Sequence, residues 1–264
     1  MRKILLILAF SNLLTSELIL EITQGTEDPY RVAILKFEGD QKVSNDIDQI
    51  IRNNLMRSGE FNLFVNEDLL SLPNNETEVI FNDFRILDID YLVIGKIAKD
   101  GISISVVYEI FDINKGKKIR TSTVYGIPNK NRQLGHYISD GIYEEITGMK
   151  GISSTKILYV TENKNFNLIV ADADGSNEQI LLKSNDPIIS PTWSPDSKKV
   201  AYVSFETGLA KVFIQDIATG ERELAIENSS QVSSPSWSPD GKFLSLTMYP
   251  VSYTHLTLPT IYSV

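Results

Sequence analysis

Few side chains in this sequence could carry out chemistry. It has no cysteine and two histidines, His136 and His255. His136 falls in a predicted helix, on the face that carries Asp140 and Tyr143 and away from the apolar stripe. We therefore interpret it as a solvated or interface histidine and not as a general base. The sequence contains no nucleophile elbow, phosphate-binding glycine loop or zinc-protease motif. It predicts no catalytic residue, no metal ligand and no cofactor.

The acidic segments also fit structural roles better than chemical ones. Residues 172–177 (Asp-Ala-Asp-Gly-Ser-Asn) faintly resemble a calcium loop. The glycine comes two positions too early, and Lys183 stands where the bidentate glutamate belongs. We expect a hairpin turn there. The pairs Glu144-Glu145 and Asp88/Asp90 are of a kind that usually lies on solvated faces.

The composition limits the possible partners. A formal net charge of −9 argues against nucleic acid or an anionic membrane surface, because both require clusters of lysine and arginine. Hydrophobic residues make up 42% and charged residues 22%, as in a globular protein. In 264 residues there is room for one large domain or two ordinary ones.

A repeat organises the second half of the chain. The four residues that begin at Trp193 (Trp-Ser-Pro-Asp) recur at Trp237, each time preceded by Ser-Pro-x. The segment 156–160 matches 199–203 as a weaker earlier copy. A period of about 40–45 residues with four short strands per unit is typical of a β-propeller blade. In the second unit the strands are expected to end at Trp193 and to cover 200–204, 211–216 and 222–225.

The first half predicts a signal peptide followed by an α/β domain. Residues 1–16 combine a basic Arg2-Lys3 pair with an apolar run from Ile4 to Phe10. A membrane anchor would need about 20 apolar residues, and Asn12 and Glu17 interrupt the run too early. We therefore expect secretion, with no membrane insertion after cleavage.

Residues 17–148 then alternate between strand and helix patterns, residues 149–250 form a partial propeller, and residues 251–264 form a tail. One helix is expected to be capped by Ser44 or Asn45, to hold Asp46 and Asp48 in its first turn and to end at Gly59. Strands are expected at 18–22, 32–35, 91–94, 102–111 and 119–125, with a second helix over 132–147.

This order of segments resembles the TolB family, the periplasmic propeller proteins of the Tol–Pal system. The likeness includes the mature start at Glu17 and the segments 55–61 and 92–95. It is most specific at the junction between the domains, which carries Gly135, His136, Ser139, Asp140, Glu144, Thr147, Gly148, Lys150 and Gly151.

The resemblance implies a periplasmic scaffold and not an enzyme. It would support outer-membrane integrity and constriction at cell division. The propeller face would bind the outer-membrane lipoprotein Pal through loops 188–191 and 231–235, with Ile189, Ser190, Gln231 and Ser234 as contacts. Gln231 stands where the family has a histidine. The mature N-terminus would bind the inner-membrane protein TolA through Glu17, Leu18, Ile19, Leu20, Glu21 and Ile22.

The chain also departs from the family pattern. TolB propellers have six blades, and this chain holds two and part of a third. Residues 251–264 look like the translation of a sequencing adapter, which predicts a tail that is not native. Open sheet edges would then make the chain prone to aggregation. A second interpretation remains open: the amino-terminal part of a secreted serine peptidase of the prolyl-oligopeptidase type. The α/β domain before the propeller favours the scaffold.

Overall fold

The computed structural model describes residues 28–127, 130–227, 230–249 and 260–263. The predicted signal peptide, the predicted strand 18–22 and the predicted TolA-binding segment, Glu17–Ile22, lie outside these residues. Within the described ranges, no helix is both long enough and apolar enough to cross a membrane.

The N-terminal domain is a five-stranded sheet with helices on both faces, which confirms the α/β prediction. The strand order is β2-β1-β3-β4-β5; β1 pairs in parallel with β2 and β3, and the remaining pairs are antiparallel. Its elements are β1 (Tyr30–Ile34), α1 (Gln41–Arg57), β2 (Phe61–Phe64), α2 (Phe81–Ile86), β3 (Tyr91–Asp100), β4 (Ser103–Asp112), β5 (Lys117–Gly126) and α3 (Asn131–Thr147), with short 3-10 turns at Asn66–Asp68 and Glu76–Glu78. The sequence patterns did not indicate β2 or α2, which are the shortest of these strands and helices.

Helix α1 begins earlier than the sequence suggested, so the predicted cap at Ser44 or Asn45 is wrong. Asp40 caps it and accepts from the backbone N–H groups of Lys42 and Val43 at 3.0 and 3.2 Å. Ser44 is buried inside the helix, where its hydroxyl donates to the Phe37 carbonyl at 2.6 Å. Asp46 and Asp48 consequently lie beyond the first turn. Gly59, with a φ of 73°, follows the helix end as expected.

The two faces of the sheet carry separate cores. Helices α1 and α3 pack on one face, where Ile51 and Ile138 meet Val93. The opposite face is covered by α2 through Phe84, which packs with Leu92 and Phe111. Gly135 allows α1 and α3 to approach closely, because a Cβ there would lie 2.8 Å from the Ile50 side chain.

The second half forms three antiparallel sheets, which confirms the propeller fold. Blade 1 is β6 (Lys156–Glu162), β7 (Phe166–Asp172) and β8 (Gln179–Ser184). Blade 2 is β9 (Ile188–Trp193), β10 (Lys199–Ser204), β11 (Lys211–Asp216) and β12 (Arg222–Leu224). Blade 3 is β13 (Gln231–Trp237), β14 (Phe243–Tyr249) and β15 (Thr260–Ser263). Blade 2 has the four strands that the repeat predicts.

Equivalent strands of the first two blades differ in burial. In the repeat, β6 takes the position of β10. All of β10 beyond Lys199 is buried, whereas Ile157 on β6 is 39% exposed. The reason is packing: blade 2 lies between blades 1 and 3, whereas one face of blade 1 has no blade against it among the described residues.

The predicted tail lies mostly outside the described residues. Its residues Thr260–Ser263 pair antiparallel with β14, in the place that β11 has in blade 2. That the tail is not native stays a prediction.

Candidate functional site

Two matching β-bulges shape the edge strands of blades 2 and 3. In β9, Thr192 pairs with Ala201 and Ile189 pairs with Val203, so Ser190 and Pro191 share a single partner position. The same irregularity lies between Ser233 and Ser236 of β13, at the second Ser-Pro pair. Strands β9 and β13 contact each other, so the two bulges lie on neighbouring strands.

The serine in each bulge has an unusual backbone conformation. Ser190 has a φ of 51° and Ser234 a φ of 54°. Residues other than glycine rarely adopt this left-handed region, and a following proline normally favours an extended conformation. Such strain is found where the surrounding structure imposes it, often at binding sites. The repeat holds both serines in this conformation.

The four predicted propeller contacts lie on strands β9 and β13 and not in loops, so the prediction of loops is wrong, but all four lie at the surface. Ile189 is 45% exposed, and Ser190, Gln231 and Ser234 are exposed. Their neighbours Ile188 and Val232 are buried, with exposures of 2% and 0%, and anchor the strands. The result is an exposed surface on rigid strands, which we call the bulge face (Ile189, Ser190, Gln231 and Ser234).

The Ser-Pro-Asp turn that follows each bulge is held by the same set of hydrogen bonds. The hydroxyl of Ser194 donates to Asp196 at 2.7 Å, and the Lys199 N–H donates to that hydroxyl at 2.9 Å. In the second copy, the corresponding distances at Ser238 are 2.6 and 3.0 Å. Hydrogen bonds to the Asp196 carboxylate, first from Ser194 and then from the Lys198 N–H, lower the pKa of Asp196.

We expect Ser194→Ala to lower the free energy of unfolding by about 1–3 kcal/mol, since a buried hydroxyl with two partners is lost. Urea unfolding measures this. Ser197→Ala in the same turn is the control, because Ser197 is exposed and should tolerate the change. Equal losses in both variants would show that the hydroxyl of Ser194 does not hold the turn.

The two tryptophans pack between sheets. Trp193 packs against the cluster between blades 1 and 2, and Trp237 packs against the cluster between blades 2 and 3. Each lies at the end of an edge strand and couples its blade to the preceding one.

A second polar site lies where α3 meets blade 1. His136 is 3% exposed, so its interpretation as a solvated residue is wrong and its interpretation as an interface residue is right. Its Nδ1 lies 2.8 Å from the side-chain amide of Asn54, and its Nε2 lies 3.8 Å from Asp172. Sequence reasoning missed Asn54, although its spacing from Ile47, Ile50 and Ile51 places it on the buried stripe of α1.

Residues 172–177 form the predicted hairpin turn between β7 and β8. The Asp172 N–H donates to Ser176 O, and the Gly175 N–H donates to Asp172 O, both at 2.8 Å. The acidic side chains of this turn point toward α3. Asp172 contacts Lys156, and Asp174 contacts Arg132. We call Arg132, His136, Lys156, Asp172 and Asp174 the junction cluster.

The carboxylates of the junction cluster are held in the ionised state. Burial opposes ionisation of Asp172, but hydrogen bonds from Lys156 and Asn177 outweigh it and lower its pKa. For Asp174, burial is likewise outweighed by bonds from the Ser176 N–H and Arg132. His136, Asp172 and Asp174 could each turn one ligand atom to a metal ion, within 4.8 Å of one another. However, Lys156 and Arg132 already balance both negative charges.

One residue of each acidic pair differs from the prediction of a solvated face, whereas Asp88 is exposed as predicted. Asp90 is only partly exposed and forms a bidentate contact with Arg31, whose Nε and Nη2 both lie 3.2 Å from the carboxylate. Glu145 pairs with Arg120 at 3.1 Å. Glu144 is exposed as predicted.

Comparison with known proteins shows which family has this sequence and fold. Residues 18–119 match the model of the TolB amino-terminal domain, and residues 143–255 match that of the TolB β-propeller domain. The chain is 41% identical over 214 residues to a Tol-Pal system protein TolB from Alcanivorax borkumensis, covering 79% of this chain and 49% of that protein.

The chain belongs to the TolB family.

Other relatives agree with this assignment. A Tol-Pal system protein TolB from Hahella chejuensis is 38% identical over 226 residues, covering 82% of this chain and 53% of that protein. The crystal structure of TolB from Acinetobacter baumannii superimposes with a TM-score of 0.80 at 32% identity, covering 92% of this chain and 59% of that one. The chain spans about half the length of the curated relatives it matches.

Proposed function

We propose that the full-length protein acts as a non-catalytic periplasmic scaffold of the Tol–Pal system, with the bulge face as its binding site for a Pal-type outer-membrane lipoprotein. The observation that carries this proposal is the repeated Ser-Pro bulge. It places a serine with the same strained backbone on each of two neighbouring strands. It also exposes side chains of these strands while Ile188 and Val232, on the same strands, stay buried. Rigid strands that present exposed residues reduce the entropy lost on binding.

The second partner in this proposal is a TolA-type inner-membrane protein, bound by Glu17–Ile22 after removal of the signal peptide. Support comes from the composition of this segment, which has four apolar residues and two glutamates, and from the match of the amino-terminal domain model, which begins at residue 18. Separate sites on the N-terminus and the propeller would allow one scaffold to bind a protein of the inner membrane and a protein of the outer membrane. In this proposal it would also support outer-membrane integrity and constriction at division.

The domain before the propeller also supports the scaffold over the peptidase alternative. Its match to the TolB amino-terminal model covers residues 18–119, a part of the chain that lies outside the propeller repeat. A hydrolase domain with a nucleophile elbow in the full-length gene would overturn this proposal.

The test is a binding experiment with the full-length mature protein. We expect Ile189→Asp to weaken binding of the soluble domain of a Pal-type lipoprotein by about tenfold or more, because it would place an unpaired charge in the interface. Isothermal titration calorimetry measures the affinity. Ile102→Asp is the matched control, since Ile102 is 88% exposed on the N-terminal domain and should bind normally.

A deletion separates the two partners. Removing residues 17–22 should abolish binding of a TolA-type domain, whereas Ile189→Asp should leave that binding unchanged. If Ile189→Asp and Ile102→Asp bind the lipoprotein equally well, the bulge face is not the binding site.

A further inference from the structure

The junction cluster contains a buried histidine between two domains. We propose that His136 is a proton-sensitive latch between the N-terminal domain and the propeller: a neutral ring keeps the contact between α3 and blade 1 closed, and protonation opens it. The proposal rests on the groups that surround the ring. It does not depend on the identity of either partner.

Charged and polar groups face His136 from every element packed against it. Helix α1 contributes Asn54 and Arg57, and α3 itself contributes Arg132 and Ser139. Blade 1 contributes the carboxylates of Asp172 and Asp174 and, bound to the first of them, Lys156.

The hydrogen bonds determine which ring nitrogen carries the proton. The Ser139 hydroxyl donates its only hydrogen to the Gly135 carbonyl at 2.7 Å, so it can only accept from Asn54, 3.0 Å away. Asn54 must therefore direct its NH2 group toward Ser139 and His136. An approach of Arg57 to the Asn54 carbonyl oxygen at 3.4 Å favours the same orientation. His136 Nδ1 is thus an acceptor, and Nε2 carries the hydrogen.

A second proton has no suitable place in this closed arrangement. It would have to bind Nδ1, where the Asn54 amide already points a hydrogen, so two donors would face each other in a buried site. At the other nitrogen, Nε2 itself lies 3.8 Å from the Asp172 Oδ2 atom, and its hydrogen has no hydrogen-bond partner among the described residues. The closed junction therefore tolerates only the neutral ring.

The nearby carboxylates do not reverse this preference. Burial lowers the pKa of His136, and the attraction of Asp174 and Asp172 for the proton only partly offsets it, since Lys156 and Arg132 already neutralise them. A divalent metal is disfavoured for the same reason, because it would have to displace both cations. A metal would also need the Nε2 lone pair, which this tautomer does not offer.

The sign of the pH dependence follows from the two states. In an open junction His136 contacts water and has its ordinary pKa of about 6.5, whereas in the closed junction its pKa is lower. The closed state is therefore favoured above pH 6.5 and loses stability as the pH falls below it, by at most about tenfold in the closed-to-open ratio per pH unit. Asp172 and Asp174 do not contribute here, since their pKa values lie below 3.8.

The test measures the distance between the two domains. The chain has no cysteine, so Lys99→Cys and Lys183→Cys, two exposed positions on β3 and β8, can carry a pair of spin labels. We expect double electron–electron resonance to show a single short distance between the two labels at pH 7.5. At pH 5.5 a second population with a longer distance should appear. In His136→Gln, the side chain can accept from Asn54 and donate toward Asp172 but cannot titrate, so the distance should stay constant.

Two outcomes would overturn the proposal. One is a distance distribution that is the same at both pH values in the parent protein, and the other is an equal shift in His136→Gln. An independent measurement uses a His255→Gln variant, in which His136 is the remaining histidine. Its NMR titration should give a pKa below 6.5, and a value at or above 6.5 would contradict the latch.

Discussion

Replacing Tyr202 by alanine should lower the free energy of unfolding by about 3–5 kcal/mol, as for other large buried aromatic side chains. Tyr202 is fully buried between blades 1 and 2, and its ring stacks on Phe213 with centroids 6.2 Å apart. Its hydroxyl donates to Gln215 at 3.0 Å, and Gln215 in turn donates to the Leu181 carbonyl of blade 1 at 3.1 Å. The residue therefore joins two blades through both packing and hydrogen bonds.

Two variants separate these contributions. Tyr202→Phe keeps the ring and should cost about 1–3 kcal/mol, because the Gln215 carbonyl oxygen loses its donor. Tyr159→Ala is the matched control: Tyr159 has the same place in the repeat but is partly exposed on the open face of blade 1, so its loss should be much smaller. Equal unfolding midpoints in urea for Tyr202→Ala and Tyr159→Ala would show that packing between blades does not set the stability.

The burial of Tyr159 should differ in the full-length protein. If further blades complete the ring, as the resemblance to six-bladed relatives implies, Tyr159 would be covered as Tyr202 is. The cost of Tyr159→Ala should then rise toward that of Tyr202→Ala. The pair of tyrosines thus reports whether blade 1 has a neighbour on its open face.

Replacing Asp140 by alanine should weaken the connection between the domains and lower the free energy of unfolding by about 2–4 kcal/mol. Its two carboxylate oxygens accept from the backbone N–H groups of Ser153 and Ser154 at 2.6 and 2.9 Å, at the start of the propeller. Hydrogen bonds to a charged group contribute about 1.5–3 kcal/mol each, and partial exposure of Asp140 reduces their sum. Gly151 packs directly on this residue, since a Cβ there would lie 2.6 Å from the Asp140 Cα atom.

Urea unfolding followed separately by a probe in each domain measures this effect. We expect the single transition of the parent protein to split into two in Asp140→Ala. Glu144→Ala is the control, because Glu144 lies one turn further along α3 and is exposed. A single transition at an unchanged midpoint in Asp140→Ala would show that this carboxylate does not couple the domains.

The sequence by itself determined the elements whose signal is local. The Trp-Ser-Pro-Asp repeat, the four strands of blade 2 and helix α3 follow from periodicity and turn chemistry that a few neighbouring residues define. The hairpin turn at 172–177 could be recognised for the same reason, since its glycine and lysine do not fit a calcium loop. The four residues of the bulge face were predicted from the resemblance; the structure shows that they are exposed, and their role in binding stays a prediction.

Tertiary structure decided the rest. Both Asp40 and Ser44 could cap the start of α1, and the structure has Asp40 as the cap. Ser44 is instead buried inside the helix, where its hydroxyl donates to the Phe37 carbonyl. His136 has no local signal of burial, since Asn54 and Asp172, which lie far from it in sequence, close around it only when α1, α3 and blade 1 assemble. The left-handed conformation of Ser190 and Ser234 could not be predicted from the sequence either. A residue before a proline favours an extended backbone, and the bulge forms only where the neighbouring strand pairs with it. Local chemistry thus determined the repeating units, whereas contacts between distant segments determined how the units meet.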